Sequence, residues 1–268
     1  MYAEAADQQG KKAPYHLAIN TGMNRIGLEP KDLPDFLKNI SFHRALDIRG
    51  TYTHFATADD SNFSAFESQL RAFNRALDYM DENDYPTGII HAANSASIIQ
   101  HPEANFQMAR MGIAMYGLSP SLNLRDKFDY KPAMSVHARI IDVRNVPVGQ
   151  GVSYGHRYIS PGSVTICTIP IGYADGLNRS LSEKIFVLYN GVLCKQVGTI
   201  CMDMCMFEVD LRLASTKNLH PKVGDEVVLV GASGDKELSL DIMADEIGTI
   251  NYELACDFGL RLPKIYTI

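Results

Sequence analysis

Several things are scarce in this chain of 268 residues, and each scarcity removes a class of answer. Cysteine comes to five residues, Cys167, Cys194, Cys201, Cys205 and Cys256. They are too few and too scattered for a disulfide scaffold, so free thiols in a reducing compartment, the cytoplasm, are expected. No stretch approaches the ~18 to 20 consecutive apolar residues of a membrane span. Met1 to Asp7 lacks the basic start and apolar core of a signal peptide. Basic clusters are missing too: the net charge is −6, and no run could neutralise a phosphate backbone, so nucleic acid is not an expected partner. Nor is there a glycine-rich phosphate loop or a dinucleotide fingerprint. What the chain has is apolar residues, 46% against 21% charged, enough to build one large or two modest domains with cores.

Two textures divide the chain. Up to about residue 120, short apolar runs (His16 to Ile19, Leu46 to Phe55, Thr87 to Ala93, Met111 to Tyr116) alternate with helical stretches at Pro34 to Ile40 and Phe63 to Met80. Phe63, Phe66, Leu70, Phe73, Ala76 and Leu77 keep the spacing of one buried helix face, and Asp59 to Asn62 supplies capping residues before it. This grammar predicts a parallel sheet covered by helices. A complete eight-unit β/α barrel takes ~250 residues, roughly 31 per unit, so this stretch holds about four units, the carboxy-terminal half of a barrel. Such a half would leave open sheet edges, so either the parallel part is a different, smaller fold or the chain lacks its front; Met1 to Gly10 reads as the last turns of an amphipathic helix, which favours truncation.

After Lys131 the runs are short and β-prone: Val136 to Val146, Ser163 to Ile169, Lys184 to Leu188, Val192 to Val197, Met204 to Val209 and Glu226 to Val230. Pro147, Gly149, Gly151, Pro161-Gly162 and Gly231 to Gly234 punctuate them, and Asn190-Gly191 is a hairpin signal. One helix is expected over Ser239 to Ile247. The fold class is therefore α/β plus β, with domains at 1–122 and 123–268 and a join near Ser119 to Lys131.

Several residues stand where chemistry could be done. Arg25 follows the first strand within Asn20-Thr21-Gly22-Met23-Asn24-Arg25-Ile26-Gly27, and His54 ends the second; a surface arginine and a satisfied core histidine are the plainer readings of each. Ser95 is either a helix cap or a phosphate-facing hydroxyl. Arg110 interrupts an apolar run, where burial without a partner is costly, and Gly112 beside it permits close approach of backbone to ligand. Tyr154 and Tyr173 are each flanked by glycines. Cys201 and Cys205, with three residues between them and no matching pair, make a poor zinc pattern, and no metal site is expected.

Taken in order, these motifs resemble the alanine racemases. The resemblance rests on Thr21 to Gly27, Thr53-His54-Phe55-Ala56-Thr57-Ala58-Asp59, Ala93-Asn94-Ser95-Ala96, Arg110 to Gly117, Val152-Ser153-Tyr154-Gly155, Gly172-Tyr173-Ala174-Asp175-Gly176, Ile200-Cys201-Met202-Asp203 and Thr249 to Glu253. It implies a pyridoxal 5'-phosphate enzyme with an amino-terminal barrel, a β domain and a head-to-tail homodimer whose sites combine both subunits. On that resemblance Ser95, Gly112, Ile113 and Tyr252 hold the cofactor phosphate, and Arg110 faces the pyridine nitrogen and keeps it unprotonated. Tyr154, from the partner subunit, is one of two bases, with His54 and Arg110 favouring its phenolate. Arg25 and the Met202 backbone bind the substrate carboxylate, and Tyr173 narrows the entrance.

The resemblance also implies two departures. None of the lysines from Lys11 to Lys264 stands in the motif of the family's cofactor-attachment lysine, which is the other base. Ala18 stands where many members carry a lysine that supports Arg25. A related serine racemase, or a remnant that binds cofactor or dimerises without catalysis, remains an alternative; the complete enzyme would supply D-alanine for peptidoglycan.

Overall fold

Parallel pairing organises the amino-terminal part of the computed structural model, which describes residues 1–267. The chain divides into two units, Met1–Tyr130 and Lys131–Ile268, so the division falls after Tyr130 rather than after 122. A 3₁₀ turn at Leu122–Leu124 and a hydrogen bond from Tyr130 Oη to Leu124 O (3.1 Å) keep the intervening segment with the first unit.

The first unit runs α1 (Tyr2–Gln8), β1 (Ala13–Ala18), α2 (Leu33–Ile40), β2 (Leu46–Tyr52), α3 (Ser64–Glu82), β3 (Ile89–His91) and α4 (Ser95–Gln100). The strands pair in parallel in the order β1-β2-β3. Most of the expected face of α3 is buried: Phe66, Phe73, Ala76 and Leu77, joined by Met80, pack with Leu17, Ile19, Leu33, Leu37 and Phe55, while Leu70 is partly buried and Phe63, just before the helix, is exposed. Truncating Phe66 or Phe73 to alanine would cost about 3–5 kcal/mol, because neither ring has any exposed surface to lose. Asn62 Oδ1 accepts from Ser64 N at 3.0 Å at the start of that helix, as the capping run suggests.

Met111 to Tyr116 is not a fourth strand. Ile113–Tyr116 form a 3₁₀ turn closed by Gly117 in the left-handed region (φ 74°), and among the described residues the sheet continues beyond β3 only as one parallel bridge, His91 to Met108. The cause is local: Gly112 adopts φ −108°, ψ −109°, off the strand region, and only Ile113 of the run is buried while Met111, Met115 and Tyr116 are exposed. Three strands therefore pair where half of a barrel calls for four.

The second unit is built on antiparallel strands: β4 (Val136–Arg139), β5 (Asp142–Val146), β6 (Gly151–Val152), β7 (Tyr158–Ile159), β8 (Val164–Ile169), β9 (Phe186–Tyr189), β10 (Val192–Val197), β11 (Cys205–Val209), β12 (Glu226–Ser233) and β13 (Lys236–Leu238). The main sheet has the order β13-β12-β9-β10-β11-β8-β5, with β4 on β12; β6 and β7 pair apart. Val136 to Val146 is thus two strands. Ile140, buried, donates its N–H to Asp225 O and Ile141 to Thr168 O, so the chain crosses between sheet partners at that point. Asn190 (φ 49°) and Gly191 (φ 74°) turn β9 into β10 with Tyr189 opposite Val192, the two-residue hairpin their sequence announces. Gly231 to Ser233, expected as a break, continue β12 instead. Two helices follow, α5 (Leu240–Ile247), capped by Ser239 Oγ on Ile242 N, and an unexpected α6 (Asn251–Asp257). Cys167, Cys194 and Cys205 are buried free thiols, Cys201 is half-buried and Cys256 exposed. Among the described residues no helix is long and apolar enough to cross a membrane.

Candidate active site

The carboxyl ends of the parallel strands open into a cleft of about 270 Å³ lined by Ala18, Asn20, Met23, Arg25, Tyr52, Thr53, His54 and Arg110, among others. Arg110 reaches it from the segment after β3, its N–H bonded to Ala93 O at 2.9 Å. Its Nη1 donates to His91 Nδ1 (2.7 Å), and its Nη2 faces Thr53 O (2.8 Å), His54 Nδ1 (3.2 Å) and Ala92 O (3.2 Å). The guanidinium carbon also lies 5.2 Å from the centre of the Tyr52 ring. The cation that interrupts an apolar run is therefore amply partnered, as its half-buried position requires.

Because a guanidinium only donates, Arg110 fixes the tautomers behind it. His91 Nδ1 must accept, which leaves Nε2–H to donate to His16 Nδ1 at 2.6 Å. Burial, with Arg110 and His16 adding to it, pushes the His91 imidazole down to about 4. His54 is lowered in the same way, first by burial and then by Arg110 and Arg25, so it stands in the cleft as a neutral ring. Space for the relay comes from the backbone: the β1–β2 register shifts between Tyr15 and His16, and a Cβ on Gly50 would stand 2.6 Å from His16 Nδ1. Neither His16 nor His91 was assigned a role from sequence. The available signal was the histidine closing β3, read simply as strand.

Gln69 was also overlooked, because a glutamine on a helix looks like surface. It is buried, and its side chain joins the loops after β1 and β2 by accepting from Ala56 N (2.9 Å) and donating to Thr21 Oγ1 (3.2 Å) and His54 O (3.1 Å). Arg25 is exposed, and among the described residues no hydrogen bond or ion pair holds it. Ala18 lines the cleft close to it in the chain with a side chain that offers no polar partner.

Ser95 is not the cap of α4. Asn94 is, its Oδ1 accepting from Ser97 N at 3.0 Å. The Ser95 hydroxyl instead accepts from Gly112 N (2.9 Å) and Ala114 N (3.3 Å), which leaves its own proton free to donate. A Cβ on Gly112 would meet nothing within 4 Å except Ser95 Oγ at 3.6 Å, so open space lies over this backbone. The Ser95 hydroxyl proton and the uncovered backbone of Gly112 lie together just before the 3₁₀ turn at Ile113, with the Gly112 and Ala114 N–H groups bonded to Ser95 Oγ. The structure thus gathers Arg25, His54, Ser95, Arg110, Gly112 and Ile113 within the first unit.

The remaining expected residues belong to the second unit. Tyr154 is exposed on a turn where Ser153 (φ 68°), Gly155 (φ 72°) and His156 (φ 47°) all have positive φ; Thr199 brackets it, accepting from Ser153 Oγ (2.7 Å) and donating Oγ1–H to Tyr154 O (3.2 Å). Tyr173 N donates to Cys201 O and Ala174 N to Met202 O, each at 3.0 Å, so the Tyr173 and Met202 loops are stitched together. Gly172 makes that possible, since a Cβ there would stand 2.3 Å from Cys201 O. Tyr252 is the second residue of α6. Among the described residues no three His, Cys, Asp or Glu side chains group as metal ligands.

A cleft at the carboxyl ends of parallel strands, lined by two arginines and a histidine, belongs to a β/α unit that is joined in one chain to an antiparallel β unit. Profiles described as "Alanine racemase, N-terminal domain" and "Alanine racemase, C-terminal domain" match residues 1–120 and 133–266, and the chain belongs to the alanine racemase family. The alanine racemase of Halalkalibacterium halodurans is 41% identical over 259 residues, 95% of this chain and 65% of that protein. The one from Carboxydothermus hydrogenoformans is 39% identical over 266 residues, 99% of this chain and 70% of that protein. The alanine racemase structure from E. faecalis superposes with a TM-score of 0.88 at 36% identity, covering 98% of this chain and 70% of that one. The structure from Bartonella henselae, described with covalently bound pyridoxal phosphate, has a TM-score of 0.84 at 30% identity, covering 99% and 70%. The chain therefore spans about two thirds of the length of the relatives it matches.

Proposed function

We propose that this chain serves pyridoxal 5'-phosphate-dependent racemisation of alanine, interconverting the L and D forms in the cytoplasm and so supplying D-alanine for peptidoglycan. The observation that carries this reading is the pairing of two binding elements in one unit: the Ser95–Gly112 cradle, and the Arg110 guanidinium held by His91, Thr53 O and His54. The cradle suits a phosphate, and Arg110 suits an aromatic nitrogen that must accept a hydrogen bond. Ile113 and Tyr252 would complete the phosphate site.

When bound, the cofactor withdraws electrons from the substrate Cα; the protein's own groups bind, orient and move protons. Arg25 and the Met202 backbone N–H would take the substrate carboxylate. Tyr154, contributed by a second subunit of a homodimer, would move the Cα proton on one face, and Tyr173 would narrow the entrance. The phenol's ordinary value near 10 is unsuited to neutral pH, so the Arg110 charge would be needed close to its oxygen. The base for the other face is not among the residues lining the cleft, which include no lysine. We place that base in the family's attachment lysine, which no residue of this chain matches in its motif.

The test is racemisation of L- and D-alanine, with L- and D-serine in parallel, by this chain with cofactor and by the same chain preceded by the lysine-bearing front of a relative. Alanine turnover confined to the extended protein is the expected result. Turnover by the chain alone would put the second base within these residues. Inactivity of both, with phosphate-dependent cofactor binding retained, would overturn the catalytic reading in favour of a binding remnant, and preference for serine would reassign the substrate.

A further inference from the structure

The segment after α6 ends largely in solvent: Leu260, Ile265 and Tyr266 are all exposed. Among described residues 259–267, Arg261 alone makes a side-chain hydrogen bond or ion pair, and it makes two. Its Nη2 donates to Asp203 Oδ1 at 2.6 Å, and its Nε lies 3.3 Å from Asp175 Oδ1. The carboxylates differ in kind. Asp203 is half-exposed, and a pair with it alone would be weak. The Asp175 side chain is only 7% exposed, and its other oxygen accepts the Gly172 N–H at 2.9 Å, so its charge is buried and Arg261 is the cation that answers it.

Asp203 follows Met202, and Asp175 closes the short turn that begins with Gly172 and Tyr173. The guanidinium therefore ties together the same two loops that the backbone bonds of Tyr173 and Ala174 join. We propose that Arg261 is a positioning residue: held between Asp175 and Asp203, it locks the loops that present Tyr173 and the Met202 backbone to the substrate. This rests on the reading of those two residues as substrate contacts, and it assigns to the carboxy-terminal segment a share in setting affinity for a small amino acid.

The experiment combines amide hydrogen exchange with steady-state kinetics on the racemisation-competent protein carrying R261Q, R261K or R261Q/D175N. In R261Q, exchange at residues 171–177 and 201–204 should quicken by about tenfold while β8 and β11 keep their protection. KM for alanine should rise roughly five- to tenfold with kcat within about twofold, as expected when binding geometry and not chemistry is loosened. R261K, which keeps the charge, should recover most of the protection; the double variant, which removes the unanswered buried charge, should be less disturbed than R261Q. Unchanged exchange in both loops, or loosening spread through the sheet with kcat falling as far as KM rises, would overturn the proposal. Exchange needs no turnover, so loosened loops in a protein that racemises nothing would leave the lock standing and count against the function alone.

Discussion

Arg110 Nη1 and His91 Nδ1 stand 2.7 Å apart, and the direction of that bond makes His91 an acceptor towards the cation and a donor towards His16. A proton added to His91 Nδ1 would face a guanidinium and break the relay. Its basicity is accordingly pushed down to about 4 from an ordinary 6.5, by burial first and then by Arg110 and His16.

The sign of the resulting pH dependence follows. Between pH 6.5 and about 4 the unfolded chain binds this proton and the folded chain does not, so His91 contributes a loss of stability as pH falls through that window, levelling off below it. Denaturation midpoints measured across pH 7 to 4 should fall more steeply for the native chain than for His91→Gln. Parallel curves would show that His91 titrates normally.

Replacing Ser95 by alanine should weaken binding of inorganic phosphate and of the cofactor by about ten- to a hundredfold, since one hydroxyl donor is lost and the Gly112 and Ala114 amides lose their acceptor. Equilibrium dialysis with phosphate reads this directly. The fold should hold, because Asn94 and not Ser95 caps α4.

Tyr154→Phe removes a proton carrier while leaving an exposed ring on the same turn. In the racemising protein, solvent deuterium exchange into Cα should drop by roughly 10²-fold or more from one enantiomer and far less from the other. Equal losses from both would remove Tyr154 from one-sided proton transfer.

Gly172→Ala tests the seam between the Tyr173 and Met202 loops. A methyl group 2.3 Å from Cys201 O forces the loops apart and should destabilise the second unit by about 1–3 kcal/mol in chemical denaturation. A midpoint unchanged from wild type would mean that the loops separate without penalty.

How much of this was legible in the sequence depends on how local the cause was. The α3 face and the Asn190-Gly191 hairpin were written in spacing and turn chemistry; the hairpin formed as read, and the face did so except at Phe63, which precedes the helix and is exposed. Met111 to Tyr116 failed because a short apolar run carries no usable period, and the deciding fact was the Gly112 backbone. In the site, Ser95 and Arg110 were visible as polar residues in unusual places, but the partners that give them meaning, His91, His16 and Gln69, are remote in sequence and unremarkable in type. Ser95 itself read equally as a helix cap until the structure showed which oxygen faces which amide.

The distribution of the five thiols gives the protein a ready handle for labelling. Burial pushes Cys167 and Cys194 up to about 12 and raises Cys205 as well, so these three stay protonated and shielded, while Cys256 alone is exposed. Cys256 lies four residues beyond Tyr252 on α6, on the same side of the helix. A fluorophore attached there would sit one helical turn from Tyr252, the residue proposed to complete the phosphate site, and would report on α6 without any engineered cysteine.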